Sequence, residues 1–265
     1  MAQEQVQDNI SLVLVSTPLP GIRVCTLNRP TKRNALSQEL INQLLHELEL
    51  GSDDQNISSI IITGSGGFFS AGADIKEISQ IDAEKAHQTR YLEALCTGVR
   101  NVRKPIIVAV EGKALGGGFE LALMADFIVA TPAVEVGLPE VTIGLIPGAG
   151  GTQRLTSAVG KYRTMKIILL NEPLSGTEAY NLGLVSLLTE PGEALQGALD
   201  IATKLGSQSA SAIRLAKEAI CRADALGQDE LLERSLYYTA FGTKDKKEGV
   251  DAFLRRRSPV WNSPD

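Results

Sequence analysis

Two glutamates and two runs of small residues are the parts of this sequence whose types and spacing could do chemistry. Glu120 stands in ALGGGFELALMADF, residues 114–127, just after Gly116, Gly117, Gly118 and Phe119. Glu140 stands in VGLPEVTIGLIPGAGG, after Pro139 and between apolar segments. A second loop, FFSAGADIKE at 68–77, runs through Ala71, Gly72 and Ala73 before Asp74. Backbone units stripped of side chains at a helix start leave their N–H groups open to a ligand oxygen, and those groups carry partial positive charge. The amides of Ala73 and Gly117, from two separate helix starts, could grip one carbonyl oxygen from both sides. One well-aimed donor of this kind is worth about 10²–10³ in rate. Two carboxylates beside a carbonyl so polarised would make an acid–base site that needs no metal.

Each feature also has a plainer reading. The glycine triplet would serve close packing of a helix on a strand. Asp74 and Glu77 have the spacing of a helix N-cap and its capping partner. Glu120, in the first turn after the triplet, complements a helix macrodipole. Glu140 is either an exposed turn residue or an acid whose desolvation would raise its pKa. Spacing alone leaves these alternatives open.

Other chemistries lack their residues. The chain has only two histidines, His46 in a leucine-rich stretch and His87 in a charged one, both outside the glycine-rich loops. That argues against a Ser-His-Asp or Cys-His nucleophile and against a histidine-rich metal site. GSGGFF, ALGGGFE and GAGGTQR contain neither GxxxxGK[ST] nor a post-strand GxGxxG, so phosphate-cradling motifs are absent.

The elements that must position these loops read as alternating strands and helices. ISLVLV and IRVCTL predict two strands around TPLPG. NRPTKRNAL is a loop, after which Ser37 caps a helix that places Leu40, Leu44, Leu45 and Leu48 on one face. ISSIIITG at 57–64 predicts a strand, and IDAEKAHQTRYLEALCTGVRNV one long helix. KPIIVAVEG is a strand so continuously apolar that both of its faces should be covered. A buried helix follows the glycine triplet, then strand DFIVA, extended VEVGLP and a helix opened by GAGGTQRL. From about 190 the pattern is helical to the end. The expectation is an α/β core over residues 1–200 and a helical region over 201–265.

Length and composition fit this. At 265 residues, 43% of them hydrophobic, the chain can bury a large core. Its formal net charge of −5 offers no general attraction to nucleic acid or anionic membrane. No apolar run has the roughly 18 residues of a membrane span. MAQEQVQDN lacks the basic start and apolar core of a secretion signal, which predicts an intracellular protein of cytoplasm or mitochondrial matrix, not a secreted one. Cys25, Cys96 and Cys221 show no CxxC and read as reduced thiols.

SAGADIKE, KPIIVAVEGKALGGGFELAL and GLPEVTIGLIPGAGGTQRL together resemble the crotonase (enoyl-CoA hydratase/isomerase) superfamily, most closely the short-chain enoyl-CoA hydratases. The likeness runs from LNRPTKRNALS to TKDKKEGVDAFLRRRSP. It implies an α/β fold with a crotonase-type core of repeated ββα units and a C-terminal helical trimerisation region, in a homotrimer or a homohexamer built as a dimer of trimers. It also implies an acyl-CoA thioester substrate, with no metal and no cofactor apart from the CoA of the substrate. By the same resemblance the carbonyl lies between the amides of Ala73 and Gly117. Glu120 then holds and activates the water added at C3, and Glu140 supplies the proton at C2. Lys32, Arg33 and Ala35, with Ala71, Asp74, Ile75 and Lys76, match the CoA-binding segments. Phe241 and Lys244 match positions that reach a neighbour's CoA.

Two acids favour hydration of a trans-2-enoyl-CoA over double-bond isomerisation, which the resemblance ties to one acid or to an aspartate. A branched substrate such as 3-methylglutaconyl-CoA is the runner-up, with the proline of GLPE favouring a straight short chain. The alternative of a different class is a non-catalytic or RNA-binding member of the fold. The net charge and mixed-sign basic stretches speak against nucleic acid, and retention of both acids speaks against a dead scaffold. The basic residues of KDKKEG and LRRRSP read mostly as a solvated helix face, and Arg154 as a residue that closes a loop.

Overall fold

The computed structural model describes residues 11–225 and 230–260. Its first unit is β1 (Val13–Leu19), β2 (Ile22–Leu27) and α1 (Gln38–Asp53). Ser37 caps α1 by accepting from the Leu40 N–H at 3.3 Å. The buried face of α1 is Leu40, Ile41, Leu44 and Leu48, each such side chain contributing about 1.5–3 kcal/mol. Leu45, expected on that face, is half-buried. β3 (Ser59–Gly64) follows, then α2 (Ile75–Ser79), α3 (Ala83–Thr89) and α4 (Glu93–Asn101).

β4 (Ile106–Val110), β5 (Lys113–Leu115) and α5 (Gly117–Leu123) form the next unit. β6 (Phe127–Ala130) and β7 (Glu135–Gly137) lead through a 3₁₀ turn, Glu140–Ile143, to α6 (Gly151–Val159) and α7 (Lys161–Leu169). Then come β8 (Leu174–Ser175), α8 (Gly176–Asn181), β9 (Leu187–Leu188) and α9 (Ala194–Gly206). The last helices are α10 (Ala210–Ala225), α11 (Glu230–Phe241) and α12 (Lys244–Leu254).

In the large sheet β2, β3, β4, β6 and β9 pair in parallel in that order, with β1 antiparallel at the edge. β5, β7 and β8 make a smaller sheet, which Ser70 joins by a bridge to Ala114. The large sheet is covered on both faces. Along β4, Ile106, Val108 and Val110 enter the main core while Ile107 and Ala109 enter a second one under α9. The strand alternation of side chains thus divides one apolar run between two layers.

This repetition positions the site. Ala73 follows the Ser70 bridge, Gly117 follows β5 and Glu140 follows β7, so the three residues leave the small sheet at equivalent points of consecutive units.

One sequence expectation changes. Residues 81–102 form α3 and α4 rather than one helix, because Arg90 (φ 49°) and Leu92 (φ 67°) are left-handed. The boundary expected between 200 and 201 falls inside α9, whose Ala198, Leu199 and Ala202 pack under the large sheet. α11 packs against α3 and α6, and α12 against α2 and the 3₁₀ turn bearing Glu140, so these helices lie over loops of their own chain.

Candidate active site

The two small-residue loops meet. A Cβ built on Gly72 would stand 3.1 Å from the Gly117 nitrogen, and one on Gly117 would stand 3.5 Å from the Ala73 nitrogen. Among the described residues neither amide donates to a protein acceptor, while their neighbours do. Asp74 N–H donates to Leu36 O at 3.2 Å, and Gly116 N–H to Gly137 O at 2.9 Å. Two donors with no acceptor among the described residues therefore lie side by side.

The glycines of the triplet serve different ends. Gly116 has φ +51° and ψ −130°, a conformation that side-chain-bearing residues avoid, and a Cβ there would lie 2.9 Å from Glu140 Oε1. A Cβ on Gly118 would lie 2.6 Å from Ser70 O, so this position serves packing. At Gly117 the surroundings are at ordinary contact distance, and a methyl group would occupy space beside the Ala73 N–H. The packing reading and the ligand reading of the triplet apply to different members of it.

Glu120 is 2% exposed. Its Oε1 accepts from the N–H groups of Ala149 and Gly151, each at 2.8 Å, so its carboxylate complements the start of α6 rather than only its own helix. A buried carboxylate needs such donors. Arg154 Nη1 donates to Ala149 O at 2.8 Å and closes this loop, as its sequence context suggests. Glu140 lies half-buried, its Oε1 over Gly116 and its Oε2 out of contact with solvent. Both acids are turned inward, beside the loop that carries the Gly117 amide.

The expected CoA segments are brought together. Ala71 N–H donates to Arg33 O at 2.9 Å and Leu36 N–H to Gly72 O at 2.8 Å. Lys32, Arg33, Ala71 and Lys76 are exposed there, with Ala35 and Ile75 partly buried. Asp74 caps α2 by accepting from the Lys76 N–H and pairs with Arg29 at 3.0 Å. Glu77 is not its reciprocal partner, for its carboxylate accepts from the Gln38 N–H of α1 at 2.9 Å. Phe241, at 1% exposure, sits in an aromatic cluster with Tyr91 and Tyr237, and Lys244 is exposed at the start of α12.

Sequence reasoning passed over three residues. Asn34 is fully buried with φ 52°; its Nδ2 donates to Ser65 O at 2.9 Å and Phe68 O at 2.6 Å, and its Oδ1 accepts from the Arg29 N–H. It fixes the 33–36 loop against the Ala73 loop. Tyr237 of α11 packs on Gly148 beside the loop that holds Glu120. Burial is the first cause, and the charges of Glu120 and Glu140 lesser ones, that push its phenol well above its usual pKa. Lys246, expected on a solvated face, is 4% exposed and donates to Ile78 O at 3.0 Å and Ile81 O at 2.7 Å.

Residues 19–264 match the family model of enoyl-CoA hydratase/isomerase. The chain belongs to that family. Among curated relatives, a probable mitochondrial enoyl-CoA hydratase of Dictyostelium discoideum is 42% identical, covering 91% of this chain and 88% of the relative. The 2,3-dehydroadipyl-CoA hydratase of Escherichia coli K12 is also 42% identical, over 90% of this chain and 94% of the relative. Among solved structures of the family, an enoyl-CoA hydratase from Mycobacterium avium subsp. paratuberculosis superimposes with TM-score 0.84 at 28% identity, covering 96% of this chain and 99% of that one. One from Geobacillus kaustophilus gives TM-score 0.79 at 36% identity, over 95% and 98%. The α/β fold of this family is the fold described above.

Proposed function

We propose that the chain is an enoyl-CoA hydratase that adds water reversibly across the 2,3 double bond of a trans-2-enoyl-CoA. The observation that carries this reading is the pair of adjacent amides, Ala73 and Gly117, neither with a protein acceptor among the described residues, with Glu140 2.9 Å from a Cβ position on the neighbouring Gly116. The thioester oxygen accepts from both N–H groups, which stabilise the negative charge that builds on it as C3 is attacked. Glu120, held by Ala149 and Gly151, orients the water and takes up its proton as the hydroxyl bonds to C3. Glu140 delivers a proton to C2, so water is added in full. The chemistry uses carboxylates, amides and the CoA of the substrate, with no further cofactor. The relatives' names support this reading.

Lys32, Arg33, Ala35, Ala71 and Lys76 are proposed to line the CoA, because the loops that carry them are hydrogen-bonded together beside the amide pair. Assembly with copies of the same chain, as a homotrimer or homohexamer, is supported by an exposed apolar stripe on α7 and just after it, Tyr162, Met165, Leu169 and Leu170. An intracellular, matrix or cytoplasmic setting follows from the substrate class. Mixing the protein with crotonyl-CoA and following the enoyl-thioester absorbance tests the activity: the absorbance should fall. Unchanged absorbance with every enoyl-CoA tried, alongside tight RNA binding, would favour the non-catalytic alternative.

A further inference from the structure

The carboxylate of Glu120 is held by a loop with little stiffness of its own. Its Oε1 accepts from the N–H groups of Ala149 and Gly151, each at 2.8 Å. Those donors belong to the run Gly148, Ala149, Gly150, Gly151, in which three of four residues are glycine. Glycine backbone adopts conformations of either hand with similar ease, so such a run does not fix the directions of its own amides. A side chain at 151 could not supply the stiffness. A Cβ there would stand 2.8 Å from Glu120 Oε1 and 3.0 Å from Leu138 Cδ1.

Arg154, at the end of the first turn of α6, supplies it instead. Its Nη1 donates to the Ala149 carbonyl at 2.8 Å, and its main-chain N–H donates to the Gly150 carbonyl at 2.9 Å. These bonds fall on the peptides either side of the Gly150 Cα. Together they set both torsions of that residue, which is left-handed at φ +94° and ψ 8°. The guanidinium lies against this glycine, for a Cβ at 150 would overlap Arg154 Nη1 and stand 2.8 Å from Cζ.

A trans peptide points its C=O and its N–H in opposite directions. With the Gly150 carbonyl drawn toward Arg154, the Gly151 N–H of the same peptide points out of the helix start, where Glu120 Oε1 accepts it. The other end of the run is gripped separately, with Tyr237 Cδ1 2.5 Å from a Cβ position on Gly148.

We propose that Arg154 is a positioning residue for water addition: by holding the carbonyls of Ala149 and Gly150 it keeps two N–H groups on Glu120 Oε1, and so keeps that carboxylate where it meets the water. The inference rests on the enoyl-CoA hydratase reading, in which Glu120 takes the proton of the water. Arg154 touches neither substrate nor water in this role and acts through the loop.

The test measures kcat and KM for crotonyl-CoA, affinity for butyryl-CoA and melting temperature in wild type, Arg154→Met and Arg154→Lys. Methionine keeps the length of the side chain without a donor. It should lower kcat by about 10–10², the scale of a misplaced catalytic group, with KM and butyryl-CoA affinity close to wild type. Lysine keeps a cationic donor for the Ala149 carbonyl and should return most of the lost kcat. If Arg154→Met does not fold, Arg154→Gln carries the same expectation. A lowered melting temperature with unchanged kcat would show that Arg154 serves packing alone and would overturn the proposal. So would a lysine variant as slow as the methionine one, or a loss confined to KM. A wild type that hydrates no enoyl-CoA would overturn the hydratase reading itself.

Discussion

The Ala73 amide nitrogen lies 3.5 Å from the place where a Cβ on Gly117 would stand. A methyl group at 117 meets no closer neighbour, so the fold can accept it, but it would crowd the space in which a carbonyl oxygen must accept from both amides. Gly117→Ala should therefore lower hydratase kcat/KM by about 10²–10³ with little change in melting temperature. Gly118→Ala should do the reverse to stability, since its Cβ would stand 2.6 Å from Ser70 O. Overpacking of this kind costs about 1–3 kcal/mol. Equal activity in Gly117→Ala and wild type would remove the amide pair from the mechanism.

Asn34→Ala removes three hydrogen bonds from a fully buried loop residue. Leaving their partners unsatisfied should cost about 1–3 kcal/mol. Because Asn34 holds the 33–36 loop that pairs with Ala71–Asp74, KM for the CoA substrate should rise more than kcat falls. Thermal unfolding and steady-state kinetics together check this; a change in kcat alone would contradict it.

The end of α12 should respond to acid. Glu248 receives two bonds from Arg257, at 2.5 and 2.8 Å, and one from the Val260 N–H at 2.7 Å. The Arg257 bonds first, then that N–H, hold its carboxyl down at about 2. A carboxylate lowered from its unfolded value of about 4.3 adds stability that is fully present above that value. This stability is lost as pH falls toward 2. Exchange of the Val260 amide, corrected for its intrinsic pH dependence, should accelerate through that window in wild type. In Glu248→Gln it should already be fast at neutral pH; slow exchange in that variant would contradict the assignment.

Much of the fold was legible in the sequence because burial imprints periodicity. KPIIVAVEG showed a strand covered on both faces, and Ser37 with its leucines showed α1. The glycine triplet and both glutamates were legible because few residue types allow bare amides or proton transfer. What stayed hidden depends on contacts distant in sequence. The helical pattern of 81–102 continues through Arg90 and Leu92, and its break accompanies the packing of Tyr91 on Tyr237 and Phe241, distant in sequence. Lys246 resembles its exposed neighbours until α2 supplies two carbonyls for it.

In the proposed reaction the half-buried Glu140, beside the glycine loop, moves a proton. Glu140→Gln keeps size and hydrogen-bonding shape but cannot exchange a proton with carbon. The most direct measurement is crotonyl-CoA hydration by this variant, with affinity for the saturated butyryl-CoA determined alongside. kcat should fall by about 10²–10⁴ with affinity kept. Undiminished turnover in the glutamine variant would contradict it.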